Sequence, residues 1–121
     1  MQSTAFAKSL DYELCYNFFA LQTIRPINKE RMALAKCKPI SAPSFLKIFD
    51  LIRKSIKVKI AGDFENYRVI LKAGDIIFYV TSEYIVELNG ETYAIGNEMD
   101  RQNLCRATAE VWTDKINPEI C

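Results

Sequence analysis

Between Phe6 and Leu21 the apolar residues fall at Phe6, Leu10, Leu14, Phe18 and Leu21, with Cys15 and Phe19 beside that stripe. A recurrence every three or four positions is the period of one helix face, so the spacing predicts a helix near residues 4 to 23 with Ser3 as its N-cap. Arg25-Pro26 ends it, because the residue before a proline is pushed out of the α region. Asn28 is the N-cap expected of a second, short helix, KERMALAKC, which must stop before Lys38-Pro39. In SAPSF, Ser41 and Ser44 are candidate caps and Pro43 an early-turn residue. Phe45, Ile48, Phe49 and Ile52 follow at i, i+3, i+4 and i+7, predicting a third helix over about 43 to 55.

After Ser55 the period falls from 3.6 to 2. Ile56, Val58 and Ile60 alternate with Lys57 and Lys59, as in a half-buried strand. AGDFEN supplies turn chemistry, and Tyr67, Val69 and Leu71 then alternate with Arg68, Ile70 and Lys72, so the two runs are expected to pair as a hairpin with a longer loop. Ala73-Gly74-Asp75 is a further turn. It leads into IIFYVT, apolar on both faces as a central strand is.

The strongest local signal is YIVEL-NG-ETYAI, since Asn-Gly between two alternating runs favours a type I′ turn, whose two central residues need positive φ. A two-residue loop fixes the register: Leu88 opposes Glu91, Val86 opposes Tyr93 and Tyr84 opposes Ile95 on the expected core face, with Glu87/Thr92 and Ile85/Ala94 on the other. Gly96-Asn97 closes the sheet. A last helix near 99 to 113 should bury Leu104, Thr108, Val111 and Trp112 and expose Arg101, Gln102, Arg106 and Glu110. The order predicts an α+β fold with N-terminal helices, about a five-strand antiparallel meander, and a C-terminal helix packed on one sheet face, with residues 1 to 121 as a single domain.

Composition narrows the chemistry. Hydrophobic residues make up 50% of the 121, with only four glycines and four prolines, a globular balance and not a disordered one. Asp11 and Glu13 precede the apolar stretch YNFFALQTI, the reverse of a secretory leader, so a cytoplasmic protein is expected. The uncharged run from Leu14 to Ile24 is too short to cross a bilayer, and no membrane partner is expected. Cys15, Cys37, Cys105 and Cys121 form no C-x-x-C pair, which predicts buried free thiols in place of a zinc site or disulfides. The chain has no histidine, removing Ser-His and Cys-His pairs and the commonest proton carrier near neutral pH.

Gly62, Gly74, Gly90 and Gly96 never approach a dinucleotide or phosphate-loop spacing. Asp63 and Asp75 follow glycines as turn residues do, and Glu83, Glu87 and Glu91 are expected at solvent-facing or hairpin-end positions. Tyr67, Tyr84 and Tyr93 are expected on the core side with Val69, Leu71 and Val86, in preference to forming with Tyr79 a face for stacking bases. No catalytic residue, metal ligand or cofactor site is nominated.

Charge is sorted along the chain: lysine plus arginine against aspartate plus glutamate count 1 to 2 over residues 1 to 24, 10 to 2 over 25 to 59, and 5 to 11 over 60 to 121. If the first two strands pair, Lys54, Lys57, Lys59, Arg68 and Lys72 gather on or beside one face, a candidate macromolecule-binding surface. The alternative is that Glu83, Glu87, Glu91, Glu98 and Asp100 of the same chain lie beside these cations as ordinary surface pairs. The leading functional expectation is a small non-catalytic module that binds another protein, an acidic one or a second copy of itself, as a regulator, inhibitor or accessory subunit. A nucleic-acid-binding module using the basic face is the second expectation, and an enzyme without a recognisable motif the third.

Overall fold

The computed structural model describes residues 11–16, 28–33, 36–59 and 66–112. Its strands are β1 (Tyr12–Tyr16), β2 (Cys37–Pro39), β3 (Ile56–Val58), β4 (Tyr67–Ala73), β5 (Ile76–Thr81), β6 (Ile85–Leu88) and β7 (Glu91–Ala94), and its helices α1 (Lys29–Ala33), α2 (Ala42–Ile52) and α3 (Glu98–Trp112). The class is α+β. Among the described residues the strands form one antiparallel sheet in the order β2-β1-β4-β5-β6-β7-β3.

The NG hairpin folds as its residues dictate. Asn89 and Gly90 take φ of 52° and 81°, and the pairs are Leu88↔Glu91, Glu87↔Thr92, Val86↔Tyr93 and Ile85↔Ala94. The register continues past the strand ends, where Ile95 N donates to Tyr84 O at 3.2 Å. IIFYVT is the middle strand, placing Phe78 and Val80 in one core and Ile77 and Tyr79 against another. α2 opens on Ser41, whose hydroxyl accepts from Ser44 N at 3.2 Å with Pro43 in its first turn, and α3 opens on Asn97, whose Oδ1 accepts from Met99 N at 2.8 Å. Both are caps that satisfy otherwise orphaned first-turn amides.

Three expectations are corrected. The helix predicted near 4 to 23 is strand β1 over Tyr12–Tyr16; the rest of that span lies outside the described residues. Tyr12, Leu14 and Tyr16 enter the main core while Cys15 enters the second, and β2 and β4 bond the strand on both sides. Both faces are thus covered, and at Leu14 and Cys15 tertiary pairing overrides the helical period. The short helix ends at Ala33, and Cys37–Pro39 is an edge strand. Pro39 is tolerated there because it opposes Glu13 beside the Tyr12/Ile40 bonded position, where Ile40 N donates to Tyr12 O at 3.0 Å, so no ladder bond needs its missing amide.

The third correction concerns the meander. β4 to β7 follow one another in the sheet, but β3 pairs with β7 at the far edge and not with β4. The cause is the path of α2. Phe45 stacks on Tyr12 of β1 with ring centroids 4.5 Å apart, and Phe49 meets Phe78 of β5 at 5.7 Å. Ile52 then borders the same cavity as Val86 and Tyr93 of β6 and β7. The helix crosses the sheet, and the short turn at Arg53–Ser55 delivers β3 to the β7 edge.

Two core layers result. On the first face, packed by α2 and α3, one cross-strand row reads Tyr16, Val69, Val80, Val86, Tyr93 and Lys57. Burial pushes the Tyr16 phenol up to about 12, against a smaller opposing effect of its hydrogen bond with Thr108. On the second face a row spans all seven strands: Cys37, Cys15, Ile70, Tyr79, Glu87, Thr92 and Val58. α1 lies over part of it through buried Met32.

Cys15 and Cys37, directly opposed, are joined as a disulfide, and Cys105 is also disulfide-bonded. This corrects the expectation of free thiols. Cys15/Cys37 is a non-hydrogen-bonded pair by the same alternation that places Pro39, the geometry in which opposed side chains come closest.

Candidate functional site

The five cations expected to form one surface are not brought together. Lys57 faces the same side as Tyr93 and binds Glu91 at 2.7 Å. Lys72 faces the other side, four strands away, and lies 3.3 Å from Glu13. Lys54 reaches Asp100 at 3.9 Å. Lys59 is exposed and makes no ion pair among the described residues. Arg68 is inside the protein, only 1% exposed, and its Nη1 donates to Asn66 Oδ1 at 2.8 Å and Tyr67 O at 3.1 Å; burial holds its pKa below the usual guanidinium value. The Lys57–Glu91 hydrogen bond raises the lysine's pKa and lowers the glutamate's. The cations of the basic segment therefore meet acids of their own chain at most of these positions.

A register shift between Tyr67 and Val69 explains Arg68. The bulge turns Tyr67 out of the Val69 and Leu71 side and into the second core with Ile70, so the expected placement of Tyr67 is corrected, whereas Tyr84 and Tyr93 do pack on the main core. Glu87, expected at a solvent-facing position, is buried. It accepts from Tyr67 Oη at 2.8 Å and pairs with Lys29, whose ammonium also sits 4.6 Å from the centre of the Tyr79 ring. These contacts fasten α1 to the sheet, with both Glu87 carboxylate oxygens partnered from within the protein. That is a structural clasp.

The binding geometry is on the other face. A cavity of about 340 Å³ lies between the C-terminal half of α2 and the sheet, lined by Phe49, Ile52, Arg53, Ser55, Ile76, Phe78, Val86, Leu88 and Tyr93. Its depth can be followed in the burial. Val86, Ile52 and Phe78 form a buried floor, Phe49, Leu88 and Tyr93 half-buried walls, and Ile76, 45% exposed, part of the mouth. α2 supplies one wall and α3 none. A larger groove of about 590 Å³, as open as the first but of mixed polar and apolar lining, is bounded by Asp11, Tyr12, Glu13, Pro39, Ile40, Lys72, Gly74 and Asp75, and the Glu13–Lys72 pair lies along it.

The sequence identified Val86, Leu88 and Tyr93 as one face and Phe49 and Ile52 as one helix stripe. It could not show that these surfaces leave a gap. A void depends on where α2 crosses the strands, and only the step from Phe45 over β1 to Ile52 over β6 and β7 fixes that.

The chain matches no protein-family model, no characterised protein and no solved structure. No helix among the described residues is long and apolar enough to cross a membrane.

Proposed function

We propose that this protein is a non-catalytic binding module that takes an apolar group of its ligand into the cavity between α2 and β5 to β7. The observation that carries the reading is the cavity itself. Protein interiors are close-packed, and a space of this size with an apolar floor and an open mouth falls in the range of small-molecule sites. An apolar group entering it leaves water at a gain of about 0.8 kcal/mol per methylene. Among the described residues, most charged groups elsewhere are paired within the chain.

A second reading, a protein partner for which this chain is a regulator, inhibitor or accessory subunit, is favoured by one observation. Ile56 is 70% exposed on β3, an edge strand among the described residues, and an edge strand can take up another strand. The disulfides support an oxidising compartment over the cytoplasm expected from the sequence.

The neutral fluorophore N-phenyl-1-naphthylamine tests the leading reading. It should bind once per chain with enhanced emission. Ile76→Trp, which adds bulk at the mouth where the parent side chain is half-solvated, should weaken binding at least about tenfold, while leaving the thermal midpoint within a few degrees because surface substitutions usually change stability by less than about 0.5 kcal/mol. Leu88→Trp, on the neighbouring strand, should act in the same direction. Unchanged binding in both variants would exclude the cavity.

A further inference from the structure

We infer that the ligand of this cavity is a small amphiphilic monocarboxylic acid, its chain or ring in the cavity and its carboxylate on Arg53; the inference rests on the cavity being the binding site. Of the nine lining side chains, Arg53 alone carries a charge. Its place is set by the fold. Arg53 is the C-cap of α2, at the point where the helix ends over β6 and β7, so the guanidinium is carried to the mouth while Ile52, one residue earlier, points to the floor.

The guanidinium is partly engaged. Its Nε lies 3.1 Å from Asp50 Oδ1. An arginine has five N–H donors in a planar fork, and an acid held on Nε leaves the edge formed by the two Nη atoms, which matches a carboxylate in bidentate geometry. Asp50 is not among the lining residues; it orients the fork from outside while offsetting part of its charge.

Other charges around the mouth do not oppose an anion. The end of a helix presents partial negative charge through its free carbonyls, but here three of those carbonyls are occupied. Phe49 O accepts from Arg53 N, Leu51 O from Lys54 N, and Ile52 O from both Ser55 N and Ser55 Oγ. Glu91, near Tyr93, is neutralised by Lys57 at 2.7 Å and accepts from Tyr93 Oη at 3.3 Å. A carboxylate at the mouth therefore meets one cation with available donors. A wholly apolar or cationic ligand would leave those donors unused or repelled.

The size sets the tail. A cavity of about 340 Å³ is near the lower end of the roughly 300–1,000 Å³ found for small-molecule sites, which suits one ring or a medium-length chain and not a long lipid. The rings of Phe49 and Tyr93 give flat apolar walls to either, over the ring of Phe78 in the floor.

Decanoate and decanol, compared by titration calorimetry at pH 7 and low salt, separate the head group from the tail. Decanoate should bind about fivefold more tightly than decanol, the ratio expected of a half-solvated arginine–carboxylate pair. Arg53→Gln should remove that preference without weakening decanol, Arg53→Lys should retain about half of it on a logarithmic scale, and Asp50→Asn should strengthen decanoate about twofold while leaving decanol unchanged. Equal binding of the two probes, with no response to Arg53→Gln or Asp50→Asn, would overturn the carboxylate while the cavity stood. Loss of both probes from the parent protein would overturn the cavity and the inference together.

Discussion

Replacing both Cys15 and Cys37 by alanine lowers the free energy of unfolding by about 3 kcal/mol, as expected when a cross-link closing a loop of some twenty residues is lost from the unfolded chain. The bridge spans a sequence separation of 22. It also clamps β2, a three-residue strand at the sheet edge among the described residues, to β1, and the loop it closes carries α1, whose Met32 is buried on the second face. In urea the midpoint should fall by more than about 1 M, given slopes of roughly 1–3 kcal/mol per M for small proteins. Since the cavity lies on the opposite face, at the β5 to β7 end, binding of the naphthylamine probe by the folded variant should match the parent. A variant as stable as the parent would show that the pairing of β1 with β2 does not need the bridge.

Removing Lys29 gives the second large effect. Lys29→Met should cost about 2 kcal/mol. This is below the roughly 3–5 kcal/mol typical of breaking a buried pair, because the ammonium is half-exposed and water screens it. Its source is Glu87, left buried with only the Tyr67 hydroxyl for a partner. The double variant Lys29→Met/Glu87→Leu should recover most of that loss, since an apolar pair of similar volume is often as stable as a buried ion pair. A double-mutant cycle by urea denaturation measures the coupling. Additive losses would contradict a clasp in which these two residues act together.

How much of this was legible in the sequence differs from element to element for physical reasons. Asn89-Gly90 and its flanking alternation carried the hairpin, its register and its core face, because a two-residue turn leaves one pairing. Ser41, Pro43 and the Phe45 to Ile52 stripe carried α2 for an equally local reason, and Leu104 with Thr108 carried α3. What failed was decided at a distance. Tyr12 to Tyr16 fit a helix until β4 is there to pair with them. β3 belongs beside β7 only because α2 crosses the sheet first. Arg68 and Tyr67 exchange surroundings through one extra residue in a ladder, which alternation cannot announce. Cys15 and Cys37 have no spacing signature because a sheet register, not a loop, brings them together.

The basic stretch from Lys54 to Lys59 illustrates the same division. Its change of period near Ser55 was readable and correct, marking the end of a helix and the start of a strand. Which of the candidate acids would pair with it was not readable, since Glu91 and Asp100 are contributed by β7 and α3. Arg53, the residue just before that stretch, keeps donors free beside the cavity, and its importance follows only from that position.

The most direct test of the cavity as the binding site is a set of intermolecular nuclear Overhauser effects between bound N-phenyl-1-naphthylamine and the side chains of the isotope-labelled protein. Contacts should fall on Ile52, Ile76, Phe78, Val86 and Leu88, residues of α2, β5 and β6 that share one face, and should be absent from Ile70, Ile77 and Ile85 on the other. Contacts confined to that second face, or centred on Ile56 at the β3 edge, would contradict the account.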